Sequence, residues 1–202
     1  MPLVRKPSTQ VRPAAAASLA GDTADERWAA ARAAAERPDG VALLSAALSR
    51  EADPRVREAI FTALARIATA ESAAAVLPCL RSDDAGLRTA AIDCLRAMPL
   101  ATAAHLPTLL ADPDADVRLL SCELARGLPD DQANRLLCDL LEVETEKNVC
   151  AAAVEVLAEI GRPEALPSLA RCATRFDGDP FIAFSIKVAT ARIVAPPRAP
   201  RE

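Results

Sequence analysis

Five segments of this chain carry the same short pattern: an acidic residue, then, three positions later, an apolar anchor that opens a helix-like run. With the anchors at Val56, Leu87, Val117, Val149 and Ile182, the steps are 31, 30, 32 and 33 residues. Asp53, Asp84, Asp114, Glu146 and Asp179 stand three before their anchors, and Arg57, Arg88 and Arg118 stand one after. A period near 30 residues is the mark of stacked supersecondary units, none of which buries its apolar face alone. Repeats of this kind present long surfaces to other macromolecules.

Composition selects the type of unit. Of the 202 residues, 51% are hydrophobic but only 2% aromatic, a balance of small apolar side chains that lets helices approach closely and that suits a β-sandwich poorly. The formal net charge of −4 lacks the basic footprint that neutralising phosphates requires, which argues against nucleic-acid binding. No uncharged apolar run reaches the ~18 residues that a membrane span needs, and the opening MPLVRKPSTQ has no apolar signal-peptide core. A cytoplasmic protein with no membrane contact is expected. The six cysteines, Cys79, Cys94, Cys122, Cys138, Cys150 and Cys172, lie singly in apolar stretches with no C-x-x-C pair. They read as buried free thiols, not as metal ligands or a disulfide framework. Cys150 alone sits where three other repeats have Arg, near a helix start that favours a thiolate if the sulfur is exposed.

Residues 1–20 carry Pro2, Pro7, Pro13 and an Ala run and read as a disordered arm bearing Arg5, Lys6 and Arg12; 196–202 read as a flexible tail. Between them, 21–195 form one domain. A lead-in helix over 23–36 places Trp28, Ala31 and Ala35 on one stripe and ends at Pro38-Asp39-Gly40. Five helix pairs follow, with first helices at 40–50, 71–81, 102–111, 130–142 and 163–174, and second helices at 54–68, 85–97, 115–127, 147–160 and 180–194. Each second helix opens on an acidic N-cap candidate, and Pro54 and Pro180 fall at the first helical position, where a missing N–H costs nothing. Asp112-Pro113-Asp114 offers two caps. Val56, Ile60, Leu64, Ile67 and Val149, Ala153, Leu157, Ile160 keep helical spacing on one face. Leu77, Leu80, Leu106, Leu109, Leu110, Leu137, Leu140, Leu141, Leu166 and Leu169 supply the opposing half of the core.

The stretches "DPRVREAIFTALARIA" and "SAAAVLPCLRSDDAGLRTAAIDCLRAM" resemble HEAT repeats of the short bacterial, phycobilisome-lyase HEAT-like type, over about 40–194. The resemblance implies an all-α, right-handed α-α superhelix of about five helix pairs plus an N-terminal helix, with second helices on the concave side. It also implies a ladder along the caps Asp53, Asp84 and Asp114, in which Arg57, Arg88 and Arg118 bond to acidic residues of adjacent turns. Cys150 and Ala183 depart from that pattern, so the ladder is expected to stop after the third repeat.

Enzymes with such repeats set specific tests. Deoxyhypusine hydroxylase-type repeats hold iron with paired His-Glu steps, and the one histidine here, His105, is followed by Leu106. DNA glycosylase-type repeats need a basic, aromatic groove. Triads, glycine-rich phosphate loops and zinc motifs are absent from the sequence. Bilin lyases share the repeat, so a lyase-like or chaperone-like subunit acting on a tetrapyrrole-binding protein is the alternative function, although no residue here is singled out for it. His105 reads as a helix-end or surface histidine without a partner base.

Aligned second helices expose one further difference. Positions one before, two after and six after the anchor read Arg55, Glu58, Thr62; Gly86, Thr89, Asp93; Asp116, Leu119, Glu123; and Asn148, Ala151, Glu155. In the fifth they read Phe181, Phe184 and Val188, although Ile182, Ile186 and Ile193 already provide an inward stripe. A helix apolar on two faces at the end of a repeat array marks a contact site for a protein partner or a second copy, unless the tail at Ala195-Pro196-Pro197 folds over it. Glu58, Asp93, Glu123 and Glu155 form an acidic column on the same face. It suits a basic peptide, or is locally paired through Asp93 with Arg96 and Glu123 with Arg126. The expected function is a non-enzymatic adaptor or scaffold, without cofactor or metal, that binds a protein partner through Phe181, Phe184, Val188 and the acidic column.

Overall fold

The computed structural model describes residues 19–195; the arm up to 18 and the tail from 196 lie outside them. Among the described residues every regular element is a helix. Two compact units divide at Arg66 and Ile67.

The first unit contains α1 (Ala24–Ala34), α2 (Gly40–Leu48) and α3 (Pro54–Ile67). Thr23 opens α1 with a capping box, its hydroxyl accepting from the Glu26 N–H while the Glu26 carboxylate accepts from the Thr23 N–H, both at 3.2 Å. Ala30, Ala31 and Ala34 give α1 a flat face against which α2 packs. Val56, Ile60 and Leu64 of α3 are fully buried, as their spacing requires, with Phe61 beside them. Ala68, at φ 53°, takes the left-handed conformation that ends α3.

The second unit contains α4 (Ala70–Val76), α5 (Ala85–Arg96), α6 (Pro99–Ala103), α7 (Leu106–Leu110), α8 (Ala115–Ala125), α9 (Asp130–Val143), α10 (Lys147–Ile160), α11 (Leu166–Arg175) and α12 (Pro180–Val194). It has two layers. The second helices α5, α8, α10 and α12 pack in sequence on one another, while α4 packs on α6, α7 on α9 and α9 on α11. Within each repeat the two layers meet, as α7 on α8, α9 on α10 and α11 on α12. Each of three expected first helices is broken: 71–81 into α4 and a 3₁₀ turn (Leu77–Arg81), 102–111 into α6 and α7, and 163–174 into a 3₁₀ turn (Pro163–Ala165) and α11. Pro78, Pro107 and Pro167 cause the breaks, because a proline ring displaces the carbonyl four residues earlier and supplies no N–H.

The anchors Val117, Val149 and Ile182 are buried, as are Ala153 and Leu157, whereas Leu87 and Ile160 are half-buried. Of the ten expected first-helix leucines, Leu77 and Leu166 are half-buried and the other eight are buried. Buried polar groups are satisfied. Thr102 Oγ1 donates to the Leu95 carbonyl at 2.9 Å, and Asn134 Oδ1 accepts from the Arg162 N–H at 3.0 Å.

The caps follow the expected register with one exception. Asp84 accepts from Gly86 and Leu87, Asp114 from Asp116, and Asp179 from Phe181 and Ile182; in the first unit Asp53 accepts from Arg55 and Val56. The ambiguity at Asp112-Pro113-Asp114 resolves to Asp114. Glu146 makes no cap bond. Its extra methylene carries the carboxylate past the first-turn N–H groups, which is why the shorter Asp, Asn, Ser and Thr dominate this position.

The arginines of the expected ladder also bind the backbone. The residue one after each anchor reaches the backbone carbonyl six positions earlier: Arg57 Nε to Glu51 at 2.9 Å, Arg88 Nη1 to Ser82 at 2.6 Å and Arg118 Nη1 to Asp112 at 2.8 Å. Arg118 also makes the expected bond to an acid of the adjacent turn, gripping Glu144 at 2.6 and 2.9 Å. Acids two residues before the caps also receive arginines. Glu51 takes Arg27, Asp112 takes Arg81, and Glu144 takes Arg118. Those side chains, with Ser82, also accept the N–H of the cap residue itself at 2.9–3.1 Å. A carboxylate two residues before the cap therefore fixes its connection twice, once to the backbone and once to a neighbouring helix. At Cys150 the thiol lies 3.7 Å from the Glu144 carbonyl, and Arg175 of α11 donates to that same carbonyl at 2.8 Å. The role of the missing arginine passes to a different helix.

Candidate functional site

Because α8, α10 and α12 are successive members of one layer, residues at equal offsets from their anchors form rows across it. In the second unit these rows enclose a groove of about 680 Å³, lined by Leu119 and Glu123 from α8, by Asn148, Ala151 and Glu155 from α10, and by Phe181, Phe184 and Val188 from α12. Every expected contact residue beyond Asp93 and Glu58 is thereby brought to one place. Asp93 is exposed on α5 and is not part of this lining, and Glu58 lies in the first unit.

The groove has unlike walls. Phe181 and Phe184 on α12 are 60% and 66% exposed, against an ordinary expectation that aromatic rings of this size contribute to a core. Along α10, Ala151, Ala152 and Ala158 make a low floor, with Val154 beneath. Two charged lining residues escaped the sequence alignment: Glu159 and Arg192. Both stand ten after their anchors, one turn beyond the last offset compared, so extending the same count finds them.

Electrostatically the acidic column is partly discharged. Arg126, at the end of α8, pairs with Glu123 at 3.0 Å, with Glu155 at 3.8 Å and with Glu159. The Glu123 hydrogen bond, with Glu159 adding to it, pushes the Arg126 guanidinium above its ordinary pKa against the effect of burial. Three carboxylates facing one arginine leave this side of the groove acidic. The expected local pair Glu123–Arg126 is therefore present, but it extends to the next helix as well.

In the first unit, a smaller recess is lined by Trp28, Arg32, Arg55, Glu58, Thr62 and Arg66. The guanidinium carbons of Arg32 and Arg55 lie 4.7 and 5.2 Å from the indole centroid. Arg55 also bonds Asp25, and Arg66 bonds Glu36. Trp28, expected on the inward stripe of its helix, is half-buried at this recess instead.

Cys150 does not have the exposure a reactive thiolate needs. It is fully buried; the neighbouring Cys172 thiol and burial both push its pKa up. Burial also drives Cys94 and Cys122 up to about 12. His105 stands at the start of α7 with Nε2 3.2 Å from the Ala70 carbonyl, a helix-end histidine as expected. Among the described residues no group of three or more His, Cys, Asp or Glu side chains is placed to hold a metal ion, and no helix is long and apolar enough to cross a membrane.

The chain is similar in fold to several solved structures. Human deoxyhypusine hydroxylase in complex with glycerol aligns at 17% identity and TM-score 0.47, covering 87% of this chain and 81% of that one. An archaeal HEAT-like repeats protein from Thermococcus onnurineus aligns at 16% and 0.45, covering 87% and 85%. The complex of CpcE and CpcF of phycocyanin lyase from Nostoc aligns at 16% and 0.39, covering 95% and 100%. No curated protein matches the sequence. The sequence itself matches the HEAT repeats family over residues 1–96 and 102–181. With the helical layers and their repeated caps, this match establishes that the chain belongs to the HEAT repeat family.

Proposed function

We propose that this chain is a non-enzymatic protein-interaction module whose working surface is the groove between α10 and α12. The observation that carries the reading is the pair Phe181 and Phe184, exposed on a helix that already buries Ile182, Ile186 and Ala189 on its other side. A helix needs one apolar stripe to join its core; a second stripe of aromatic rings left in water is stabilised only by something that covers it. Aromatic side chains above a small-residue floor, flanked by charge, have the composition of the buried centre and polar rim of a protein interface. The occupant is a polypeptide surface, contributed by a different protein or by a second copy of this chain.

Photo-crosslinking tests the reading. A benzoylphenylalanine at position 184 is expected to capture a polypeptide at the groove, while the same group at Leu100, 86% exposed on α6, captures none in common. With the crosslinker moved to Val188 in the same groove, Phe184→Asp is expected to abolish capture while leaving the unfolding free energy within about 0.5 kcal/mol of wild type. If the variant unfolds the domain, Phe184 is core and the groove is not a binding surface.

A further inference from the structure

The two walls of the groove are complementary to each other. The α12 wall is bulky and basic: Phe181, Phe184, Val188 and Arg192 line it, Lys187 is exposed next to Val188, and no acid lies between Pro180 and Val194. The α10 wall is low and acidic: Ala151, Ala152, Ala158, Glu155 and Glu159. We infer that the occupant of the groove is a second copy of this chain, with α12 of each copy laid against α10 of the other. This rests on the interaction reading above and names its partner.

Symmetry reduces the possibilities to two. Two copies meeting groove to groove are related by a two-fold axis that lies in the contact plane, either across the helices or along them. An axis across them sets α12 on α12 and α10 on α10, bringing Lys187 and Arg192 toward their own copies and carboxylates toward carboxylates. An axis along them sets α12 on α10 of the other copy, twice, with no shift along the helices. Offsets from the anchors then match row for row. Phe184 stands over the partner's Ala151, Lys187 and Val188 stand at the level of the partner's Glu155, and Arg192 stands level with the partner's Glu159. Large side chains meet small ones and cations meet anions, so the charge pattern selects this axis. Because α12 is the last described helix, the overlap involves only the final two members of the layer.

The area bounds the strength. At about 200 Å² per ring, the exposed parts of Phe181 and Phe184 offer about 250 Å² per copy. Even doubled and joined by the groove floor, this stays near the lower limit of specific interfaces, about 1,200 Å². A reversible dimer with a dissociation constant of about 10 μM to 1 mM follows.

Sedimentation velocity of the full chain from micromolar to about 1 mM tests this. Wild type is expected to shift from monomer to dimer with concentration, and Phe184→Asp to raise the dissociation constant at least about tenfold. Lys187→Glu with Arg192→Glu, and separately Glu155→Lys with Glu159→Lys, are each expected to remain monomeric. Mixing the two variants restores a dimer, and so does one chain carrying all four reversals, since both of its walls have exchanged sign. Circular dichroism melts confirm that each variant folds. A wild type that stays monomeric throughout, or a dimer that the reversals neither break nor restore, overturns the inference. If wild type is monomeric while position 184 crosslinks a different protein, the second copy is refuted and the interaction reading stands; if neither dimer nor crosslink is found, both fall.

Discussion

Replacing Arg118 with Met tests an enclosed ion pair of the second unit. Arg118 and Glu144 form two parallel bonds, at 2.6 and 2.9 Å, and their side chains are 15% and 3% exposed. Met preserves the apolar stem of arginine, so the loss is electrostatic rather than one of packing. It leaves the buried Glu144 carboxylate with the N–H groups of Thr145 and Glu146, each at 2.9 Å, as its remaining donors. Breaking a buried pair costs about 3–5 kcal/mol; the two retained backbone donors place this case near the lower limit, about 3 kcal/mol. With a urea m-value of about 2 kcal/mol/M, the midpoint falls by about 1.5 M. Glu144→Gln added to Arg118→Met is expected to recover more than half of the loss, because a neutral amide does not need the cation.

The loss also depends on pH, with a sign the structure dictates. Burial raises the Glu144 pKa, but the Arg118 hydrogen bond and the Glu146 N–H outweigh it and hold the carboxyl below its ordinary value of 4.5. In wild type this group's stabilisation is complete above 4.5 and is lost as pH falls through the lower folded value. Without Arg118, burial dominates and the folded pKa rises above the unfolded one. That penalty is present at high pH and is relieved as the carboxyl protonates. The stability gap between wild type and Arg118→Met therefore narrows from pH 8 to pH 4. A gap below about 1 kcal/mol at pH 8, or one that stays constant down to pH 4, refutes the buried-pair account.

Glu146→Asp supplies the cap that α10 lacks and is expected to raise stability by about 1 kcal/mol, read as a rise of about 2–4 °C in melting temperature. Gly161→Ala places a Cβ 2.2 Å from the Leu157 carbonyl oxygen and 2.9 Å from Ile193 Cδ1; calorimetry is expected to show a loss of about 2 kcal/mol. In a thiol titration of native protein, half-buried Cys79 and Cys138 react first, and the buried Cys94, Cys122, Cys150 and Cys172 wait for denaturant. Fast labelling of Cys150 under native conditions contradicts its burial.

The division between what was legible in the chain and what was not follows the range of each interaction. Asp53, Asp84, Asp114 and Asp179 announce their caps because a cap is a contact across two or three residues, decided by the length of one side chain. The anchors and leucines announce the core because helical geometry converts spacing into a face. The breaks at Pro78, Pro107 and Pro167 were not expected, although a proline's effect is equally local. The Phe181, Phe184 and Val188 stripe was visible because repetition supplies four internal comparisons for the same positions.

Which arginine meets which acid was decided only by tertiary structure. Arg118 and Glu144 are 26 residues apart, Arg81 and Asp112 31 apart, and no local pattern distinguishes Asp112 from Asp114 as the recipient of a cation. The substitution of Arg175 for the arginine absent at 150, the burial of Cys150 against Cys172, and the assembly of two unlike walls into one groove all arise from helices packed across a repeat. Sequence periodicity determines the face each helix buries; the partners on that face depend on layer stacking, where contacts between side chains about 30 residues apart outweigh the preferences of neighbours in the chain.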